Sequence, residues 1–215
     1  MPKSSRSKAE IKVIKEEILS NALEIIREEG FDKLSMRKLA ARSGMTAANL
    51  YNYYKNKGRL HLELDRKSYA TLYAKMENAS KKKNTEFEKL KAMLNAYVEF
   101  GYRFAEQYDM MFNRLRNPKS TEFIGTEDER FAKKQLREAL LNLLLFRKTF
   151  SDYIKTQPKL KKKDLDILIM QIWSQLHGLI SLYNSGIIGE FDEDPKRTVD
   201  RIINNLFTSI ESGNV

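Results

Sequence analysis

Between Thr46 and Arg59 the chain reads TAANLYNYYKNKGR, a run whose side chains suit one kind of chemistry. Asn49 carries a carboxamide, which donates and accepts at once and so matches the edge of an adenine. Tyr51 and Tyr53 carry phenols that can donate to phosphate oxygens from a rigid ring. Lys55, Lys57 and Arg59 add cations beside them. Ala47 and Ala48 are small enough for the backbone to approach closely and for their methyls to meet a thymine methyl. Little elsewhere supports other chemistry. The chain has no cysteine and two histidines, His61 and His177, so disulfides, thiolate catalysis and a His-based metal site are not expected. No Gly-rich phosphate loop, HExxH or Ser–His pairing is readable, and Glu127 and Glu129 lie in a polar segment expected to be exposed. We therefore expect no catalytic residues, no metal and no cofactor.

The elements that must position the 46–59 face are short helices. Ile11, Ile14, Ile18, Ala22, Ile25 and Ile26 recur at three- and four-residue steps, an amphipathic helix that Gly30 should end in a left-handed cap. Ser35 precedes Met36, Leu39 and Ala40 at the same spacing and suits the N-cap of a second helix, closed by Gly44. Thr46 caps a third helix over 46–54, and Asn56 caps a fourth that continues to about Ser80. Two short helices across a glycine turn form a helix-turn-helix pattern, whose second helix offers its first residues to the major groove. In that frame Leu50 and Tyr54 point inward. The alternative for Tyr51 and Tyr53 is burial as core aromatics. Lys57 falls in the first turn of the fourth helix, where free amides already favour an anion.

This stretch resembles the DNA-binding domain of the TetR family of transcriptional regulators. The resemblance covers residues 11–64 and is carried by EEGFDKLSMRKLAARSG followed by MTAANLYNYYKNKGRLHLEL. It implies that Arg37 reaches a base or phosphate and that Ala47, Ala48, Asn49 and Tyr53 lie in the major groove. It likens Ser35, Thr46, Tyr51 and Lys57 to phosphate clamps. Gly58 replaces a commoner acidic or polar residue, which would loosen the start of the fourth helix.

Beyond a solvated turn at 81–84, a long amphipathic helix carries Phe87, Leu90, Leu94, Tyr97, Phe104 and Tyr108 near one face. A short helix from Asp109 to Leu115 ends at the Asn117–Pro118 turn. An apolar helix follows from Thr126 to about Lys155, then an exposed turn at 158–164 and a helix over 165–185. Gly186 and Gly189 break the chain before a last helix with Asp194 at its cap and Pro195 in its first turn. No run alternates with period two. The expected fold is all-α, with about nine helices. An N-terminal three-helix helix-turn-helix domain, with a basic arm of Lys3, Arg6 and Lys8, occupies 1–60. A fourth helix joins it to a C-terminal helical bundle, and 61–215 is the expected effector-binding and dimerisation domain.

WSQLHGLISLYNSG, from Trp173, is similar to a Trp-x-x-x-His-Gly helix of one TetR subgroup, and YVEFGYRFAEQYDMMF resembles a ligand-domain helix there. On 165–185, Gln171, Ser174, Gln175, Gly178, Ser181 and Ser185 make a small polar stripe opposite Ile169, Trp173, Leu176, Ile180 and Tyr183. That arrangement suits one side in the subunit core and the other at a two-fold interface. The resemblance puts a homodimer seam on the last two helices, with Val199, Ile202, Ile203, Leu206, Phe207 and Ile210 offered to it. Tyr97, Phe100, Phe104, Tyr108, Met111, Phe146, Trp173 and His177 are candidates to line an effector pocket, although such stripes are more often solid core.

Charge supports a polyanion partner. The chain carries a net +10, and residues 1–60 hold 13 Lys and Arg against 7 Asp and Glu, a net of +6. Charge alone leaves nucleic acid and an anionic membrane open, but the capped turn lacks the long apolar face of a membrane-surface helix. Ile167 to Gly189 has no charged residue yet carries too many polar groups for lipid exposure. No apolar leader precedes Ala9, so a cytoplasmic protein is expected. The leading expectation is a dimeric regulator of a palindromic operator on double-stranded DNA, a repressor released by a small apolar or aromatic effector. The alternative is a DNA-binding protein of the same fold with no effector.

Overall fold

The computed structural model describes residues 6–112, 120–160 and 164–213. Lys3 of the basic arm, Leu115, the Asn117–Pro118 turn and Lys161 to Lys163 lie outside the described residues. Ten α-helices account for most of the rest: α1 Lys8–Glu29, α2 Met36–Arg42, α3 Ala47–Tyr53, α4 Lys57–Lys81, α5 Glu86–Arg103, α6 Ala105–Phe112, α7 Glu129–Lys155, α8 Leu165–Asn184, α9 Ile187–Phe191 and α10 Pro195–Ser212. Two short 3-10 turns, Phe31–Lys33 and Ser120–Phe123, complete the set, and no strand occurs among the described residues. Among the described residues the fold is all-α, with nine helices of seven or more residues plus the short α9.

Two compact units divide the chain, residues 1–69 with 106–139 and residues 70–105 with 140–215. The first is organised on α1 to α3. Ile18, Leu19, Ala22, Ile25 and Ile26 of α1 are buried with Leu39, Ala40, Leu50 and Leu64, and Met110 of α6 joins the same cluster. Gly30 ends α1 with a positive φ, but at ψ 157° the backbone is extended rather than left-handed helical. That region is open almost only to glycine.

In the second unit α5, α8 and α10 meet at close range. A methyl at Gly101 would lie 2.7 Å from Ile180 Cγ2, so these backbones approach only because α5 has no side chain there. Nearby, Asn184 Nδ2 donates to the Gly101 carbonyl at 3.0 Å. This explains a departure from the sequence pattern. The expected continuous helix through Tyr108 breaks at Phe104 (φ −125°, ψ 47°), because a carbonyl of the last turn is held by a side chain 83 residues away. The short helix therefore starts at Ala105 rather than Asp109. Gly189 likewise breaks nothing: Gly186, at φ 80°, turns the chain, and Gly189 lies inside α9.

α8 is long and apolar enough to cross a membrane by length and composition. Here Leu168, Ile169, Ile172, Leu176, Leu179 and Ile180 are buried within its own unit. Gln171, Ser174, Gln175 and Ser185 face outward, and a methyl added at Gly178 would meet nothing within 4 Å. α10 differs from expectation. Val199, Ile203, Leu206, Phe207 and Ile210 are buried in the subunit's own core, and only Ile202 of the six nominated seam residues is exposed, at 45%. One-sided apolar spacing identifies the buried face but not what buries it.

Candidate nucleic-acid interface

The two helices of the motif are set by their caps. Ser35 is extended (φ −130°, ψ 153°), and its hydroxyl accepts from Lys38 N at 3.2 Å. Thr46 (φ −75°, ψ 154°) accepts from Asn49 N at 3.2 Å in the same way. Each satisfies one amide left free by a helix start. Between them Gly44, at φ 63°, is the left-handed residue of a Schellman turn: Met45 N donates to Ala40 O at 2.9 Å and Gly44 N to Ala41 O at 3.1 Å. Met45 then packs against the core cluster, and Asn21 Nδ2 donates to Ser43 Oγ at 3.1 Å, tying the turn to α1.

α3 therefore has defined sides. Leu50, Tyr53 and Tyr54 share its inward face, at 0%, 8% and 2% exposure. Ala47 is half-buried against the core. Thr46, Ala48 and Tyr51 are exposed and Asn49 is half-buried, so the outward start of α3 presents a hydroxyl, a methyl, a carboxamide and a phenol. Asn52, one turn beyond Ala48, is exposed on the same side and was not among the residues singled out from sequence. Ser35 and Arg37 are exposed at the start of α2. Among the described residues no ion pair engages Arg37, whereas Lys38 pairs with Glu29 and Arg42 with Glu28 at 2.5 Å.

Tyr53 takes the alternative weighed for its ring, burial as a core aromatic. Its ring packs in the core because residues at i, i+3 and i+4 from Leu50 turn the same way, and its hydroxyl accepts from Arg6. Tyr54 is fully interior; its hydroxyl donates to Lys15 O at 3.3 Å, and burial pushes its pKa well above the ordinary phenol value.

The turn after α3 is braced by groups the sequence pattern did not connect. Asn56 caps α4 by accepting from Arg59 N at 2.6 Å, and its Nδ2 donates to Asp128 Oδ2 at 3.1 Å. Arg59 lies 3.6 Å from the Phe131 ring centre and 3.4 Å from Asp128 Oδ1, while Lys55 pairs with Glu127 at 2.5 Å. Lys57 is exposed, with its ammonium 5.6 Å from the centre of Phe31. A methyl added at Gly58 would meet Asn56 Oδ1 at 3.3 Å and the Phe123 ring at 3.6 Å. Glu127 is exposed as expected, but its neighbour Asp128 is buried. The signal for Asp128 was its position before an apolar helix; nothing in spacing links residue 128 to residue 56.

The residues nominated for an effector fall in both units. Tyr108 and Met111 belong to the first, where Tyr108 packs 4.8 Å from Phe112 and Met111 O accepts from Tyr69 at 3.1 Å. The other six belong to the second. Trp173 Nε1 donates to the Tyr97 hydroxyl at 2.8 Å, and the His177 ring lies 6.3 Å from Trp173. Phe100 packs 5.2 Å from Phe104, and Phe146 stacks on Phe150 at 6.4 Å. Partial burial lowers the His177 pKa, favouring the neutral imidazole.

Set beside known proteins, residues 18–64 match the bacterial regulatory proteins of the tetR family, and residues 90–206 match a tetracyclin repressor-like C-terminal domain. The chain belongs to the TetR family: it is a transcriptional regulator, a class that binds DNA and is not enzymatic. The fatty acid metabolism regulator protein of Bacillus subtilis (strain 168) is 28% identical over 81 residues, 38% of this chain and 42% of that protein, so the match spans under half of that relative. A protein of unknown function from Rhodococcus sp. RHA1 has the same fold, with a TM-score of 0.73 at 17% identity over 97% of this chain and 98% of that one. So does the Bacillus subtilis transcriptional regulator FadR, solved in complex with stearoyl-CoA, with a TM-score of 0.66 at 18% identity over 92% and 98% of the two chains.

Proposed function

We propose that this protein is a homodimeric repressor that holds a palindromic operator through two copies of the α2–α3 motif and releases it on binding a fatty acyl thioester. The observation that carries the DNA half is the division of α3 into a buried side, Leu50, Tyr53 and Tyr54, and an outward side of Thr46, Ala48, Asn49 and Tyr51. Asn49 and Ala48 read base edges, with Ala47 behind them. Ser35, Thr46 and Tyr51 hold phosphates through hydroxyls, and Arg37 and Lys57 through charge. Tyr53 contributes from the rim, through its hydroxyl alone. A single seven-residue helix covers few base pairs, so specificity requires two, about 34–36 Å apart on the duplex. The outward polar stripe of α8 and Ile202 of α10 support a seam along the last two helices.

The effector half, assigned to residues 61–215, is supported by the kinship with a fatty acid metabolism regulator and by the FadR fold neighbour, whose bound ligand is stearoyl-CoA. Phe100, Phe104 and Phe146 would meet an acyl chain, and Tyr97, Trp173 and His177 its polar end. Release requires that the ligand favour the conformer that does not bind DNA. The test is to select duplexes from random DNA, then titrate acyl-CoAs of graded length against the bound duplex while following Trp173 emission. Selection of a palindrome with release at saturating long-chain acyl-CoA is expected. Operator binding unaffected by any acyl chain would favour the regulator without an effector, and failure to enrich any sequence would remove the DNA assignment.

A further inference from the structure

The N-terminal half of α1 carries charge where its pattern would place core. Helical spacing puts Lys8, Ile11, Lys12 and Lys15 on the same side as Ile18, Ala22 and Ile26. Ile18, Ala22 and Ile26 are fully buried. Towards the N-terminus the same side lines a cleft of about 270 Å³, with Arg59, Glu63 and Arg66 of α4 also on its lining. Tyr54 and Phe131 complete the lining within the same unit as the recognition helix.

Charge in this cleft is unbalanced. Lys8, Lys12, Lys15, Arg59 and Arg66 meet only two lining carboxylates, Glu16 and Glu63. Both are engaged, Glu63 by Arg66 Nε at 2.8 Å and Glu16 by Lys67 at 3.0 Å. Arg59 is neutralised in part by Asp128 and held against Phe131. Among the described residues no ion pair engages Lys8, Lys12 or Lys15; the Lys15 ammonium lies 5.5 Å from the centre of the Tyr54 ring. Cations gathered around one concave site repel each other and raise the local concentration of anions.

We propose that this cleft binds a small polyphosphorylated molecule, of the nucleoside diphosphate class. Phosphoryl groups accept from arginine forks and from lysine ammonium groups at once, and two of them spread charge over more donors than a single carboxylate reaches. The three lysines rise along α1 by roughly 6 and roughly 4.5 Å, a span that two linked phosphoryl groups and a sugar cover. The Arg59–Phe131 stack gives a planar base a wall to lie on. Tyr54 immediately follows α3, so an occupied cleft sits one residue from the end of the recognition helix. The proposal does not depend on the operator or on the acyl effector.

The test is calorimetric titration of the full chain with ADP and with inorganic pyrophosphate in low salt, with chloride and sulfate at matched ionic strength as controls. The K12E/K15E protein is compared with a K82E/K83E protein, which makes the same charge change in an exposed turn. Thermal melts establish that both are folded. Saturable 1:1 binding that weakens at least tenfold in K12E/K15E and is unchanged in K82E/K83E is expected. Equal loss in both variants, or equal heats from sulfate, overturns the proposal. If neither probe binds but K12E/K15E alone loses duplex affinity, the phosphates belong to DNA and the small-ligand assignment is overturned.

Discussion

Thr46 has two separable duties in the proposed interface, and two substitutions divide them. Its hydroxyl caps α3 by accepting from Asn49 N at 3.2 Å, and it stands exposed at the end of α3 proposed to enter the groove. Thr46→Ala removes the cap, which costs ~1 kcal/mol of stability and also removes a phosphate donor. Because α3 has only seven residues and is anchored by the fully buried Leu50, the helix should survive this loss. Thr46→Asp keeps an acceptor at the cap and places a negative charge near the helix N-terminus, which is favourable by ~0.3–1 kcal/mol. Against DNA the same carboxylate stands beside phosphate. At ~4 Å the repulsion is ~1 kcal/mol in water and ~4 kcal/mol at the effective dielectric near a protein surface. The Asp protein should therefore melt at or above the wild-type temperature yet bind its selected duplex at least about fivefold more weakly. The Ala protein should melt lower and lose less affinity. Urea denaturation and fluorescence anisotropy across a salt series measure both quantities. An Asp protein that binds at wild-type affinity in low salt would show that Thr46 does not face the duplex.

Four further outcomes are expected. Asn49→Ala should relax base preference by ~1–3 kcal/mol at one position, whereas Lys57→Ala should weaken all sequences alike and flatten the salt slope by about one unit; re-selection with each variant distinguishes them. Gly178→Asp should split the proposed dimer without unfolding the subunit, since no atom lies within 4 Å of the added methyl position; sedimentation checks it. Gly101→Ala should destabilise, because overpacking against Ile180 at 2.7 Å costs ~1–3 kcal/mol while the helix-propensity gain is at most ~1 kcal/mol; a stabilised variant would refute this. Burial pushes the Asp65 carboxyl up to about 8, so the folded state holds its proton more tightly than the unfolded chain. Its contribution to stability is full below about pH 4 and declines as pH rises towards about 8; Asp65→Asn should flatten that part of the curve, which denaturation at several pH values measures.

What the sequence disclosed was mostly local. Ser35, Thr46, Asn56 and Asp194 each accept the backbone amide that their positions predict, because a cap depends on the next three residues alone. Gly101 stands one turn before the break at Phe104, but the group that takes its carbonyl, Asn184, is on another helix and is not legible from the local sequence. Asp128 was hidden for the same reason, since the turn it braces lies at residues 56 to 59.

Faces were legible where partners were not. The period along α10 correctly separates its apolar from its polar side, but the apolar side proves to be buried in the subunit's own core, and Ile202 is left to represent a seam. Along α1 the opposite error arises. Ile11 and Ile14 continue the stripe of Ile18 and Ala22, so periodicity alone extends the core to the helix start, yet Ile11 is 36% exposed. Ile14 is only partly buried against the cluster, and full burial along α1 begins at Ile18. Where that burial stops, the same face turns to Lys8, Lys12 and Lys15, and spacing that elsewhere builds a core there builds a cationic cleft.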